Sequence, residues 1–116
     1  MNNWMNDDVV DLNIDVFTPG KRYVATVRFA DKAVSKKGSP QIAIEWDING
    51  ESVKSWYTIE GKALLYARHV ISCLGINPND QFQIQSLVGR KADVTLKKNG
   101  RNYWEVDTVT ALDDDY

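Results

Sequence analysis

The stretch Gln41 to Ile59 leaves the chain little choice of local structure. Asn49-Gly50 separates two runs of alternating polarity, and an Asn-Gly pair in that setting is the strongest short-range signal for a two-residue β-hairpin. In the first run Ile42, Ile44, Trp46 and Ile48 share one face while Gln41, Ala43, Glu45 and Asp47 share the other, as a half-buried strand requires. In the second, Val53, Ser55, Tyr57 and Ile59 alternate with Lys54, Trp56 and Thr58. If Val53 and Ile59 fix the core side, Trp56 stands in solvent beside Lys54. That is a wasteful place for a large apolar ring unless something stacks on it.

Upstream, Thr18-Pro19-Gly20 reads as a turn, followed by a strand in which Tyr23, Ala25, Val27 and Phe29 alternate with Val24, Thr26 and Arg28. Residues 33–40 then carry Gly, Pro and the adjacent Lys36 and Lys37, and read as a flexible basic connection into the hairpin. Beyond Ile59 the period changes. Ala63, Leu64, Ala67, Val70, Ile71 and Leu74 recur at helical spacing and Gly75 follows as a C-cap, so Lys62 to Leu74 is expected to be a helix. The segment from Ile76 to Ser86 reads as irregular or as a short helix. A second hairpin follows, with Ala92, Val94 and Leu96 on one face of its first strand. Trp104, Val106 and Thr108 lie opposite Tyr103, Glu105, Asp107 and Val109 on its second.

Three meandering strands, a helix and a hairpin follow the element order of the OB-fold, a mainly β, five-stranded barrel with one helix between strands 3 and 4. The domain is expected to span residues 17–112, between an acidic N-terminal arm at 1–16 and an acidic C-terminal tail at 113–116. In this fold, ligands meet the face of strands 2 and 3, flanked by the loops joining strands 1 to 2 and 4 to 5. Those loops hold Lys36 and Lys37, and Lys97, Lys98 and Arg101; the strand between them holds Lys54 and Trp56. Cationic loops beside exposed rings suit a phosphate backbone with unstacked bases. Solvated lysines that discourage edge pairing are the plainer reading of either loop alone. Trp46 and Trp104, on apolar faces, are read as core, whereas Trp56 and Tyr103 are candidates for stacking.

Net charge enters here, because −2 overall argues at first against nucleic acid. The charges are segregated. Asp7, Asp8, Asp11 and Asp15 precede every base, and Asp113, Asp114 and Asp115 follow every base. Seven of the sixteen acids thus sit at the ends, leaving nine against fourteen bases and a central body of +5.

From Gly20 to Val109 the chain resembles small phage single-stranded-DNA-binding proteins of the OB-fold type. The resemblance lies in the strand Tyr23 to Phe29, the Ser35-Lys36-Lys37-Gly38 loop, the hairpin, the central helix, Val88-Gly89-Arg90 leading into Val94-Thr95-Leu96, and the strand Asn102 to Val106. It extends to the ending Leu112-Asp113-Asp114-Asp115-Tyr116. Clustered acids before a terminal apolar or aromatic residue are frequent in such proteins; Phe, often preceded by Pro, is common where this chain has Tyr without Pro. The resemblance implies a role in phage DNA replication or recombination, with Asp113, Asp114, Asp115 and Tyr116 recruiting partner proteins. A free polyanionic tail would also compete with DNA for a basic groove.

No acid pair, nucleophile and base pair, or phosphate loop is evident, so a non-enzyme without cofactor is expected. His69 and Cys73 have metal-like spacing, but two ligands are too few for zinc. One cysteine, no membrane-length apolar run and no signal-like N-terminus lead to the expectation of a cytoplasmic protein, in the host cell if phage-encoded. A protein-interaction adaptor and an RNA- or oligosaccharide-binding barrel remain alternatives, and open barrel edges leave room for a homodimer.

Overall fold

Asn49 and Gly50 adopt φ of 55° and 86°, the paired positive values of a type I′ turn. The computed structural model describes residues 16–112 of the chain; the expected tail at 113–116 and all but Val16 of the expected arm lie outside the described residues. The hairpin joins β2 (Pro40–Ile48) to β3 (Glu51–Thr58). Around it lie β1 (Arg22–Val34), α1 (Ala63–Cys73), a 3₁₀ turn at Ile84–Leu87, β4 (Lys91–Lys98) and β5 (Trp104–Thr110). The five strands form one antiparallel sheet in the order β3-β2-β1-β4-β5. The expected succession of elements is therefore present, with the helix between β3 and β4.

β1 organises the sheet because both neighbours share it. Arg22 to Thr26 pair with β4, and Thr26 to Val34 pair with β2. It also runs further than its alternation suggests, taking in Ala33 and Val34, so the connection to β2 shrinks to Ser35–Ser39. The Ser35 amide donates to the Ser39 carbonyl at 2.9 Å, and the Ser39 amide to Ser35 Oγ at 3.0 Å. Lys36 and Lys37 are thereby held at the tip of a bonded ribbon.

The inner face is apolar. Ala25, Val27 and Ala30 from β1, Ile42, Ile44, Trp46 and Ile48 from β2, and Val94 and Leu96 from β4 are buried against Val70, Ile71 and Leu74. The helix ends in a Schellman motif. Gly75, at φ 87°, donates to the Ser72 carbonyl, and Ile76 donates to that of Ile71. On the first strand of the second hairpin, buried Asp93 bonds the Arg22 guanidinium at 2.6 Å, which assigns that base a structural partner.

Two bulges reverse the expected alternation. Between Val27 and Phe29 the β1–β2 register slips, so Val27 faces Trp46 but Phe29 faces Glu45. Arg28 is the extra residue. Phe29 turns outward at 51% exposure, and Ala30 takes the inward place. A second slip lies opposite Thr95 and Leu96, where Thr108 and Val106 are paired and Asp107 is extra. Val109 consequently points inward and is buried, while Thr108 is exposed. An added residue bends its strand and increases local twist, which suits a sheet that must wrap around a core.

Candidate nucleic-acid interface

On the outer face, the β1-β2-β3 register arranges six side chains as a small grid. Phe29, Glu45 and Lys54 form one row; Asp31, Ala43 and Trp56 form the next. Trp56 and Phe29 occupy opposite corners, 55% and 51% exposed. Ala43 is too small to fill the space between them. Phe29, Ala43, Ile44, Glu45, Lys54, Ser55 and Trp56 line an open slot of about 200 Å³. Two apolar rings are thus left to water on either side of a gap, an arrangement that favours a flat apolar guest.

Trp56 belongs to a second recess. A cleft of about 430 Å³ runs between the two edge strands of the sheet, lined by Lys54 to Thr58 of β3, Lys97 of β4, Glu105 to Asp107 of β5, and Ala63 and Tyr66. Edge strands that are distant in sheet order therefore approach each other across this cleft without being neighbours in the ladder.

The cations have different surroundings. Lys36 and Lys37 are exposed, and neither they, Lys54 nor Arg101 enters an ion pair among the described residues. The Lys97 ammonium lies 3.5 Å from Asp107 and 3.8 Å from Glu105, so much of its charge is already balanced. The Lys98 ammonium sits 5.2 Å from the centre of the Trp104 ring, a cation–π distance. Arg28 lies 3.2 Å from Asp47 and 3.7 Å from Glu45. Arg28 and Lys97 are thus partly balanced by acids, while Lys36, Lys37 and Arg101 stand at the rims outside those ion pairs.

Tyr103, 67% exposed, belongs to the loop before β5 rather than to the strand, because Asn99 organises that turn. The Asn99 side chain accepts from the amides of Arg101 and Tyr103 at 2.8 and 3.1 Å, and Asn102 takes φ 67°. Trp104 is half-buried and meets Phe17 edge-on at a centroid distance of 5.4 Å, which ties the start of the domain to β5. Trp46 is wholly buried. The structure gathers Trp56 and Lys54 into one slot and brings Lys97 to the adjoining cleft. It adds Phe29, which alternation had assigned to the core, and Tyr66, which stands off the apolar stripe of α1 and lines the cleft with its exposed ring.

His69 Nε2 donates to the Val109 carbonyl at 2.7 Å and Cys73 Sγ lies 3.5 Å from the same nitrogen. The pair fastens α1 to β5. Among the described residues no group of three metal-ligating side chains converges, and no helix is long and apolar enough to cross a membrane.

Fold and surface define an antiparallel β domain that exposes aromatic rings between basic turns. Compared with known proteins, the chain matches no family model and no curated protein.

Proposed function

We propose that this domain is an OB-type barrel left open between β3 and β5, and that it binds single-stranded DNA with broad sequence tolerance. The observation that carries the reading is the pair of exposed rings, Phe29 and Trp56, at opposite corners of the slot over Ala43. Bases stack on such rings whatever their identity, because each offers a π-face. Lys36, Lys37, Lys98 and Arg101 at the rims meet phosphates, Lys54 contributes beside the slot, and Tyr103 offers a further stacking surface. Paired Lys97 contributes less. No catalytic step is required of these groups.

A role in phage replication or recombination, with recruitment of partner proteins by Asp113 to Tyr116, rests on the resemblance of the sequence. The test is fluorescence anisotropy of labelled oligo-dT, repeated with RNA and duplex of the same length. Salt-sensitive binding of the single strand, weakened by loss of either ring, supports the proposal. Absence of oligonucleotide binding at low salt, together with protein capture that survives nuclease, would favour an adaptor instead.

A further inference from the structure

Two recesses share one stretch of β3. Lys54, Ser55 and Trp56 line the slot on the outer face and also the larger cleft toward β5. β3 ends the sheet on this side, so no further strand of the ladder stands between the two. At about 430 Å³ the cleft falls within the size range of small-ligand sites, whereas the slot, at about 200 Å³, falls below it. Tyr66 brings a second exposed ring to the cleft from α1. That ring is packed at a centroid distance of 5.9 Å from both the Tyr57 and His69 rings, so it is held in place before anything binds. The formal charges lining the cleft cancel, Lys54 and Lys97 against Glu105 and Asp107. A phosphate entering it would meet two carboxylates as well as two ammonium groups, whereas a base is uncharged and offers a flat face to the rings.

Resting on the nucleic-acid reading above, we infer that the cleft is a second base site, continuous with the slot over the free edge of β3, and that Tyr66 stacks the base held there. The single strand then crosses β3 instead of ending on the outer face. Its phosphates stay outside the cleft, and the link between the two nucleotides passes Lys54, which lines both recesses and enters no ion pair among the described residues. Stacking in a cleft of balanced charge adds affinity without releasing counterions. Its contribution is therefore independent of salt, unlike that of the lysines at the rims.

The experiment measures anisotropy of labelled oligo-dT over a series of salt concentrations for wild type, Tyr66→Ala and Tyr66→Phe, with thermal unfolding of each protein. Loss of one stacked base implies roughly tenfold weaker binding by Tyr66→Ala at every salt concentration, with the log-log slope unchanged. Tyr66→Phe keeps the ring and should bind as wild type. Should Tyr66→Ala melt early, Tyr66→Leu takes its place, because it keeps apolar bulk against Tyr57 but offers no π-face. Wild-type binding by a folded ringless variant, with Trp56→Ala weakened, overturns the inference while leaving single-strand binding at the slot in place. Binding by Tyr66→Phe as weak as by Tyr66→Ala overturns the stacking role, and a slope altered by Tyr66→Ala overturns the separation of base from phosphate. Failure of oligo-dT to bind wild type at low salt overturns this inference together with the reading it rests on.

Discussion

The Trp46 indole donates its Nε1 proton to the Ser55 hydroxyl at 2.8 Å, from β2 to β3. Ser55 donates in turn to the Tyr57 oxygen at 2.9 Å. A ring wholly removed from water keeps its one polar atom satisfied through a small chain of hydroxyls. Ser55→Ala removes the acceptor and leaves a buried N–H, so it should cost about 1–3 kcal/mol. Trp46→Ala, which adds a large cavity, should cost about 3–5 kcal/mol. Urea unfolding followed by circular dichroism measures both; a Ser55→Ala midpoint equal to wild type would show that water replaces the lost hydroxyl.

Tyr57 gives this network a pH dependence. Burial pushes its phenol from 10.0 up to about 12, partly opposed by the hydrogen bond with Ser55. The folded state therefore holds the proton more tightly than the unfolded chain does. Its contribution is complete below pH 10, fades as pH rises through about 12, and is on the order of 3 kcal/mol. Stability should fall over that alkaline window, and Tyr57→Phe should make the fall shallower. An unchanged slope in the variant would assign alkaline unfolding to other groups, Tyr66 being the first to test because its phenol is also raised by burial.

Phe29 and Trp56 should behave alike despite their different strands. Each is more than half exposed, so truncation to Ala should alter stability little, while loss of a stacked base should weaken DNA binding by about 1–3 kcal/mol. Oligo-dT anisotropy beside thermal unfolding separates the two effects. A Phe29→Ala protein that binds as wild type but melts early would return Phe29 to a packing role.

These two rings also mark how far sequence reasoning reaches here. Trp46 and Trp56 were separable because Val53 fixes one face of β3 and the Asn49-Gly50 turn fixes the register. Phe29 was not, because a bulge at Arg28 reverses parity and nothing in the local residues demands one. Asp107 does the same to Val109. The helix and its Gly75 cap were legible, since both are local patterns. Compensation of Lys97 was not, because it depends on Glu105 and Asp107 returning along β5.

Salt dependence tests the division of labour among the cations. Three to five phosphate contacts give a log-log slope of about −2 to −3.5 for single strands. Lys36→Ala or Lys37→Ala should each reduce the magnitude of that slope by about 0.7. Lys97→Ala should change it less, since the ammonium already faces two carboxylates. Equal effects at all three positions would mean that DNA displaces those pairs, and a wild-type slope near zero would remove phosphates from the interface.

Deletion of Asp113 to Tyr116 has an expected sign. Three side-chain negative charges leave a chain whose central body carries +5 by sequence count, so a competitor for the basic rims is lost. The described chain ends at Leu112, which lines a recess with Arg90 and Lys91, and four further residues extend at most about 14 Å. Affinity for oligo-dT should hold or rise. The gain should be largest at low ionic strength, because exposed charges are screened over about 10 Å at 0.1 M salt. Tyr116→Ala keeps the three acids, so DNA affinity should barely change while capture of a replication or recombination partner declines. Anisotropy at two salt concentrations, for the full chain, the deletion and the point variant, measures the first effect; a binding assay with a purified partner measures the second. Severalfold weaker DNA binding after deletion would mean that the tail contributes to the site, and competition would be the wrong account of its acids.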